Sequence, residues 1–277
     1  MRAALRPWAA VAPATLFLLV VFAIPIVMVL ALSFSGPQVG VQHYARIVTT
    51  PVYSRVFANT LQIALGVTLV SLVLAYPLAY VLSILGTRTS IVLLGLVILP
   101  WFTSLLVRSF AWMVLLGQNG VINRALLSMG VIGRPLPLLY SAFGVYVGMV
   151  HILLPYMVLA LYSVMRGIDR DLLRAAQSAG APPWRAFLHV YLPLSLPGVA
   201  AGSLLVFVMA SGFYVTPALL GGPRQTMIAQ LITSEINEAV NWEFGAALAT
   251  VLLLVTLAGL AVFNRFLGMD RFLGRRA

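Results

Sequence analysis

Residues 169–197 read DRDLLRAAQSAGAPPWRAFLHVYLPLSLP, a polar island between long apolar runs. Asp169 is a good N-cap, and Asp171 adds a negative charge in the first turn, where the helix dipole favours it. Residues 172–179 are mostly helix formers, and Gly180 can take the left-handed conformation that ends a helix. Pro182 and Pro183 forbid continuation and suit the first turn of a second short helix, expected at 184–189. Ala175, Ala176 and Ala179 form a small, flat face against which a partner's backbone can lie closely. The stretch therefore predicts a helix–turn–helix held in water between two membrane spans.

The flanking chain supplies those spans. Of its 277 residues, 62% are hydrophobic and 8% are charged. Charge-free runs cover 7–45, 56–87, 135–165 and 186–223, and a bilayer core needs about 20 apolar helical residues. An all-α polytopic membrane protein follows, with six transmembrane helices at about 12–34, 57–85, 91–116, 141–165, 196–220 and 245–267. The opening apolar run is longer than the roughly 7–15 residues of a signal core and reads as a retained first span. No repeat, low-complexity tract or linker interrupts the chain, so one membrane domain is expected over 1–277, with the polar loop at 166–195.

All seventeen basic residues are Arg, which gives a net charge of +11. They are scattered along the chain, unlike the basic face of a nucleic-acid binder. Their placement orients the spans. With the N-terminus inside, Arg2, Arg6, Arg88, Arg166, Arg170, Arg174, Arg185, Arg265, Arg271, Arg275 and Arg276 fall on the cytoplasmic side. Arg46, Arg55, Arg124, Arg134 and Arg224 fall outside. Both termini are therefore expected in the cytoplasm of a bacterial cell, with the chain in its inner membrane. A P-loop needs a Lys to reach the terminal phosphates, and this chain has none. It has no Cys either, which removes disulfides and thiolate metal sites.

Ala175-Ala176, then three residues, Gly180, then nine residues, and Val190-x-Leu192-Pro193 resemble the EAA motif of ABC importer permeases. Residues 101–123 (WFTSLLVRSFAWMVLLGQNGVIN) and 214–229 (YVTPALLGGPRQTMIA) are similar to the spermidine/putrescine branch of that family. The resemblance implies the type I importer fold and a transport subunit rather than an enzyme. It implies a loop that docks on a separate ABC ATPase, which carries the ATP and Mg, through Asp171, Ala175, Ala176, Ala179, Gly180, Val190, Leu192 and Pro193. It also implies a second, homologous permease and an external solute-binding protein. The family's motif begins with Glu where this chain has Arg174, and Asp171 is the nearby acid. The solute implied is a polyamine; the same importer class for another small solute (an amino acid derivative, a phosphonate or other anion) is the alternative. No cofactor is expected in this chain.

Inside the spans, Pro77, Pro100, Pro155 and Pro217 free the carbonyls of Val73, Leu96, His151 and Phe213, which need a neighbour, a water or a ligand. His151 lies roughly 15 Å below Ser141, near mid-membrane. It reads either as a path residue or as a neutral imidazole bonded to the next helix. Arg108, counted along a continuous third span, falls near the outer surface, where it either snorkels or faces the path. With Trp101, Tyr156, Ser211, Phe213 and Tyr214, these two residues are the candidate translocation path. Gly198, Gly202, Ser203, Ala210 and Ser211 give the fifth span a small face suited to close packing. Glu235, Glu238 and Glu243, in an outer loop, are the candidate contacts for the binding protein. No acid falls in any expected span. That argues against a proton- or sodium-coupled secondary transporter, and the lone mid-membrane His without an acid argues against an intramembrane hydrolase.

Overall fold

The structure, a computed structural model, describes residues 6–36 and 40–267; Arg2, Arg271, Arg275 and Arg276 of the charge argument lie outside them. All regular structure among the described residues is helical. The elements are α1 (Arg6–Leu32), α2 (Gln42–Thr49), α3 (Pro51–Ile84), α4 (Thr87–Ile98), α5 (Leu105–Leu116), α6 (Val121–Ser128), α7 (Ala142–Met165), α8 (Asp171–Ser178), α9 (Pro183–Ala186), α10 (Leu192–Ser211), α11 (Val215–Leu220), α12 (Ile228–Asn237) and α13 (Trp242–Leu267). Among the described residues, six helical stretches are long and apolar enough to cross a bilayer.

The continuous spans expected at 91–116 and 196–220 are each interrupted. Pro100 carries no N–H, and the chain tightens there into a 3-10 turn, Leu99–Phe102. The Thr103 amide and hydroxyl both donate to the Pro100 carbonyl, at 3.1 and 2.7 Å. The backbone then runs extended through Thr103 and Ser104 before α5 begins. In the second case α10 stops at Ser211, and α11 starts after three intervening residues with Pro217 in its first turn. A proline costs nothing there, because first-turn amides have no intrahelical acceptor.

The separate helix expected at 184–189 is also absent. α9 passes through a π turn, Phe187–Tyr191, into α10 without a break. The wider winding, with the Leu192 amide donating to the Phe187 carbonyl, carries the helix past Pro193, which has no amide hydrogen.

The described chain forms two compact units, one joining the segment up to Arg55 with Ile228–Val255, the other joining Val56–Met227 with the segment from Thr256. In the first, Phe244 is fully buried and packs edge-on to Tyr53 at 5.1 Å. The Arg46 guanidinium lies 4.3 Å over the same Phe244 ring, a cation–π contact.

In the second unit α7 is the central helix, with Met149, Leu153, Met157 and Leu161 fully buried. α10 crosses it through the small face read from the sequence. A Cβ at Gly202 would lie 2.7 Å from the Met157 sulfur, and one at Gly198 would lie 3.1 Å from the Val164 Cβ. Without a hydrophobic driving force between helices in lipid, such close backbone approach supplies the attraction. Gly202→Val is therefore expected to cost about 1–3 kcal/mol by overpacking. Gly212→Ala meets open space at an ordinary φ of −97° and is expected to be close to neutral. Thermal unfolding of the purified protein checks both.

Candidate functional site

Two groups of the predicted residues meet at opposite stretches of α7. The first gathers where α5 runs antiparallel to it. The Trp112 indole N–H donates to His151 Nδ1 at 3.1 Å, with the rings 5.7 Å apart and edge-on. Trp101 and Tyr156 have ring centroids 4.5 Å apart. Arg108, one turn from Trp112 on α5, is within electrostatic range of both Tyr156 and His151. Ser109, its neighbour, meets Thr216 of α11 at 3.3 Å.

This corrects the placement of Arg108. Counting along an unbroken span put it at the outer surface. The interruption after Pro100 restarts the count, and the pairing with α7 puts Arg108 beside residues 151–156, near the middle of that helix. Its Nε and Nη1, and the Trp101 Nε1, are buried with no hydrogen-bond partner among the described residues. Buried donors without acceptors are costly, and more so in hydrocarbon. The cluster is thus rich in donors and aromatic faces and contains no acid.

Of the other path candidates, Ser211 is buried and donates back to the Phe207 carbonyl of its own helix at 2.8 Å. Phe213 packs against the core, and Tyr214 is exposed. Ser211 is the last residue of α10, and Phe213 and Tyr214 sit in the interruption before α11. Sequence reading missed Trp112, whose spacing from Arg108 (i, i+4) is the signal that would have placed both on one face.

The second group is at the other end of α7. α8 turns Leu173 toward the core and leaves Leu172, Ala175 and Ala179 exposed. Asp169 does not cap by the usual geometry; its carboxylate accepts the Asp171 amide at 2.9 Å, two residues on. Arg174 pairs with Asp171 at 2.9 Å on the exposed side, so the acid and the base one turn apart neutralise each other. Gly180 has φ +89° and no atom near its would-be Cβ, as the C-terminal glycine of a helix requires. Val190 lies in the π turn, and Leu192 and Pro193 open α10. Trp184 and Leu188 are 57% and 45% exposed, which extends the open apolar surface beyond α8.

Two further arginines hold this end together. Arg166 Nη1 donates to the Ser83 and Leu85 carbonyls at 3.0 and 2.8 Å, and its Nη2 donates to the Thr87 hydroxyl at 2.9 Å. Arg170 Nη2 reaches the Ser83 carbonyl at 2.9 Å. These carbonyls are at the C-terminus of α3, where cations are favoured. Behind them Tyr80, Phe187 and Tyr191 pack edge-on and stacked, and the Tyr191 and Tyr76 hydroxyls bond Ser83 and Ser195 at 3.1 and 2.8 Å. Among the acids, the Glu238 carboxylate accepts the Ser234 hydroxyl at 2.9 Å, Glu235 is half-buried on α12, and Glu243 is in the first turn of α13.

The chain matches the family described as binding-protein-dependent transport system inner membrane components over residues 3–269. It is 35% identical over 250 residues to the spermidine/putrescine transport system permease protein PotB of Haemophilus influenzae, an alignment covering 87% of each chain. Among solved structures it superposes on a bacterial ABC transporter involved in the import of the acidic polysaccharide alginate, with a TM-score of 0.77 at 18% identity over 95% of this chain and 94% of that one. It also superposes on a bacterial alginate ABC transporter in complex with a pentasaccharide-bound periplasmic protein, with a TM-score of 0.75 at 17% identity over 97% and 94%.

The Trp112–His151 bond is open to a direct test. His151→Leu leaves a part-buried indole N–H without its acceptor, at an expected cost of about 1–3 kcal/mol. Trp112→Phe added to it removes the stranded donor and is expected to recover part of that loss. A double-mutant cycle by thermal unfolding reads the difference; strictly additive effects would mean the bond contributes nothing.

Proposed function

The chain belongs to the family of binding-protein-dependent transport system inner membrane components, and we propose that, as a permease subunit of an ABC importer, it forms half of the translocation path for a spermidine/putrescine-type polyamine. The observation that carries the solute class is the identity to PotB along most of both chains. The protein is a multi-pass inner-membrane protein. Both termini and α8 face the cytoplasm, where a separate ATPase docks, binds ATP with Mg and hydrolyses it. A second, homologous permease completes the path, and a periplasmic binding protein delivers the solute to the opposite side, where Glu235, Glu238 and Glu243 meet it.

Exposed Leu172, Ala175, Ala179, Trp184 and Leu188 support the docking role of α8, because an apolar surface beside a polar loop suits a protein partner. The adjoining aromatics Trp101 and Tyr156, tilted at 40° to one another, support a path role by offering ring faces to a cation. Arg108 favours a second reading, an anionic solute, since its buried donors need an acceptor and a polyamine has none.

Uptake and ATP hydrolysis by the assembled complex in proteoliposomes separate the two. For a polyamine importer, spermidine-loaded binding protein raises ATP hydrolysis and drives uptake, and Arg108→Gln does not abolish either. For an anion importer, spermidine does neither, and Arg108→Gln removes transport of the true solute.

The docking role has its own test at Gly180. A β-branched side chain at φ +89° costs about 1–2 kcal/mol and has space around it, so strain rather than collision acts on the turn. Gly180→Val is expected to leave the subunit inserted but to lose the ATPase on purification, or to keep it without transport. Normal retention together with normal uptake would mean α8 is not the docking element.

A further inference from the structure

The arginine node at the end of α3 is not accounted for by docking or by the path. Arg166 is the C-cap residue that follows α7, and Arg170 immediately precedes α8. Both guanidinium groups turn away from the acids nearest them. Asp171 is taken by Arg174, and Asp169 accepts a backbone amide. Instead they make four charge-assisted hydrogen bonds to the Ser83 and Leu85 carbonyls and the Thr87 hydroxyl. Ser83 and Leu85 are at the end of α3, and Thr87 is the first residue of α4. The corner is closed from inside as well: the Ser90 hydroxyl donates to the Leu82 carbonyl at 2.7 Å.

The exit from α8 is tied to the same turns. The π turn that follows it presents Phe187 and Tyr191 to Tyr80 at 5.7 and 5.1 Å, and the Tyr191 hydroxyl meets Ser83. α8 is therefore held on both sides to the last two turns of α3, and through Arg166 directly to α4. α4 in turn leads into the Pro100 turn that carries Trp101. A displacement of α8 cannot leave the α3–α4 corner behind without breaking bonds that are roughly twice as strong as neutral ones.

We propose that Arg166 and Arg170 are positioning residues that transmit the displacement of α8 to the α3–α4 corner and so to the segment bearing Trp101. The inference rests on the reading of α8 as the ATPase-docking element. It separates two properties that docking alone would leave together, retention of the ATPase and use of its work.

The test is the Arg166→Gln/Arg170→Gln double variant in the complete importer in proteoliposomes, with uptake and ATP hydrolysis measured on the same sample. The expected result is normal co-purification of the ATPase, retained binding-protein-stimulated hydrolysis, and a loss of roughly tenfold in solute moved per ATP, the scale on which charged hydrogen bonds act. Arg166→Lys is expected to recover only part, because one ammonium cannot span the three acceptors that the planar fork meets. Thr87→Val removes a single acceptor, leaves both arginines in place, and is expected to lower the same ratio by a smaller factor. It decides the matter if the double variant does not insert.

Uptake and hydrolysis falling in proportion, with the ratio unchanged, would reduce the node to a structural clamp. Loss of the ATPase on purification would show that the arginines shape the docking surface rather than transmit its motion. Both results overturn the proposal. A Gly180→Val variant that keeps ATPase and uptake would instead remove the docking reading on which it rests.

Discussion

A polar group inside hydrocarbon has no water to fall back on, and that single constraint orders most of what is seen here. The hydroxyls of Thr68, Ser109, Ser211 and Thr250 each donate to a carbonyl four residues earlier on their own helix. Trp112 finds His151, Tyr76 finds Ser195, and the end of α3 takes its cations from the α7–α8 link. At Pro100, Pro193 and Pro217 the helix rewinds as a 3-10 or π turn or starts afresh, whereas α3, α7 and α10 run on through Pro77, Pro155 and Pro197. Against that background the unpartnered donors of Trp101 and Arg108 stand out. Trp101 lies in the turn between two helix pieces, where irregular backbone in a membrane protein is tolerated only when protein or a polar path surrounds it, and Arg108 lies on the first turns of α5 that follow.

The scaffold that holds this segment is built on small residues. α7 carries the large side chains of the core, and α10 meets it with glycines, so the two backbones come close enough for dispersion to hold them without a hydrophobic contribution. That rigid pair supplies both functional stretches. Its middle faces α5 and the aromatic cluster, and its other end carries α8 and the arginine node. The α5 cluster and α8 are thereby two outlooks of one helix pair.

The family match and the identity to PotB place the chain in its family, and the alginate importer structures share its fold. The described acids are Asp169, Asp171, Glu235, Glu238 and Glu243, none of them in the middle of a spanning helix. The cluster offers ring faces and an arginine rather than carboxylates. Neutralisation of that charge, or an acceptor brought by another chain or by the solute, is what the cluster requires.

Sequence by itself determined the class and the local turns. Six apolar stretches, the polar interruption at 169–197, the end of α8 at Gly180 and the small face of α10 are all properties of consecutive residues, and backbone propensity and hydropathy act along the chain. The tertiary structure alone decided the depth of Arg108, the continuous passage from α9 through the π turn into α10, and the capture of α3 by Arg166 and Arg170. The first and the last of these depend on which distant group a side chain reaches, from 112 to His151 or from 83 to Arg166. No periodicity records such a partner, because a hydrogen bond across helices is fixed by how the helices pack and not by the residues beside it.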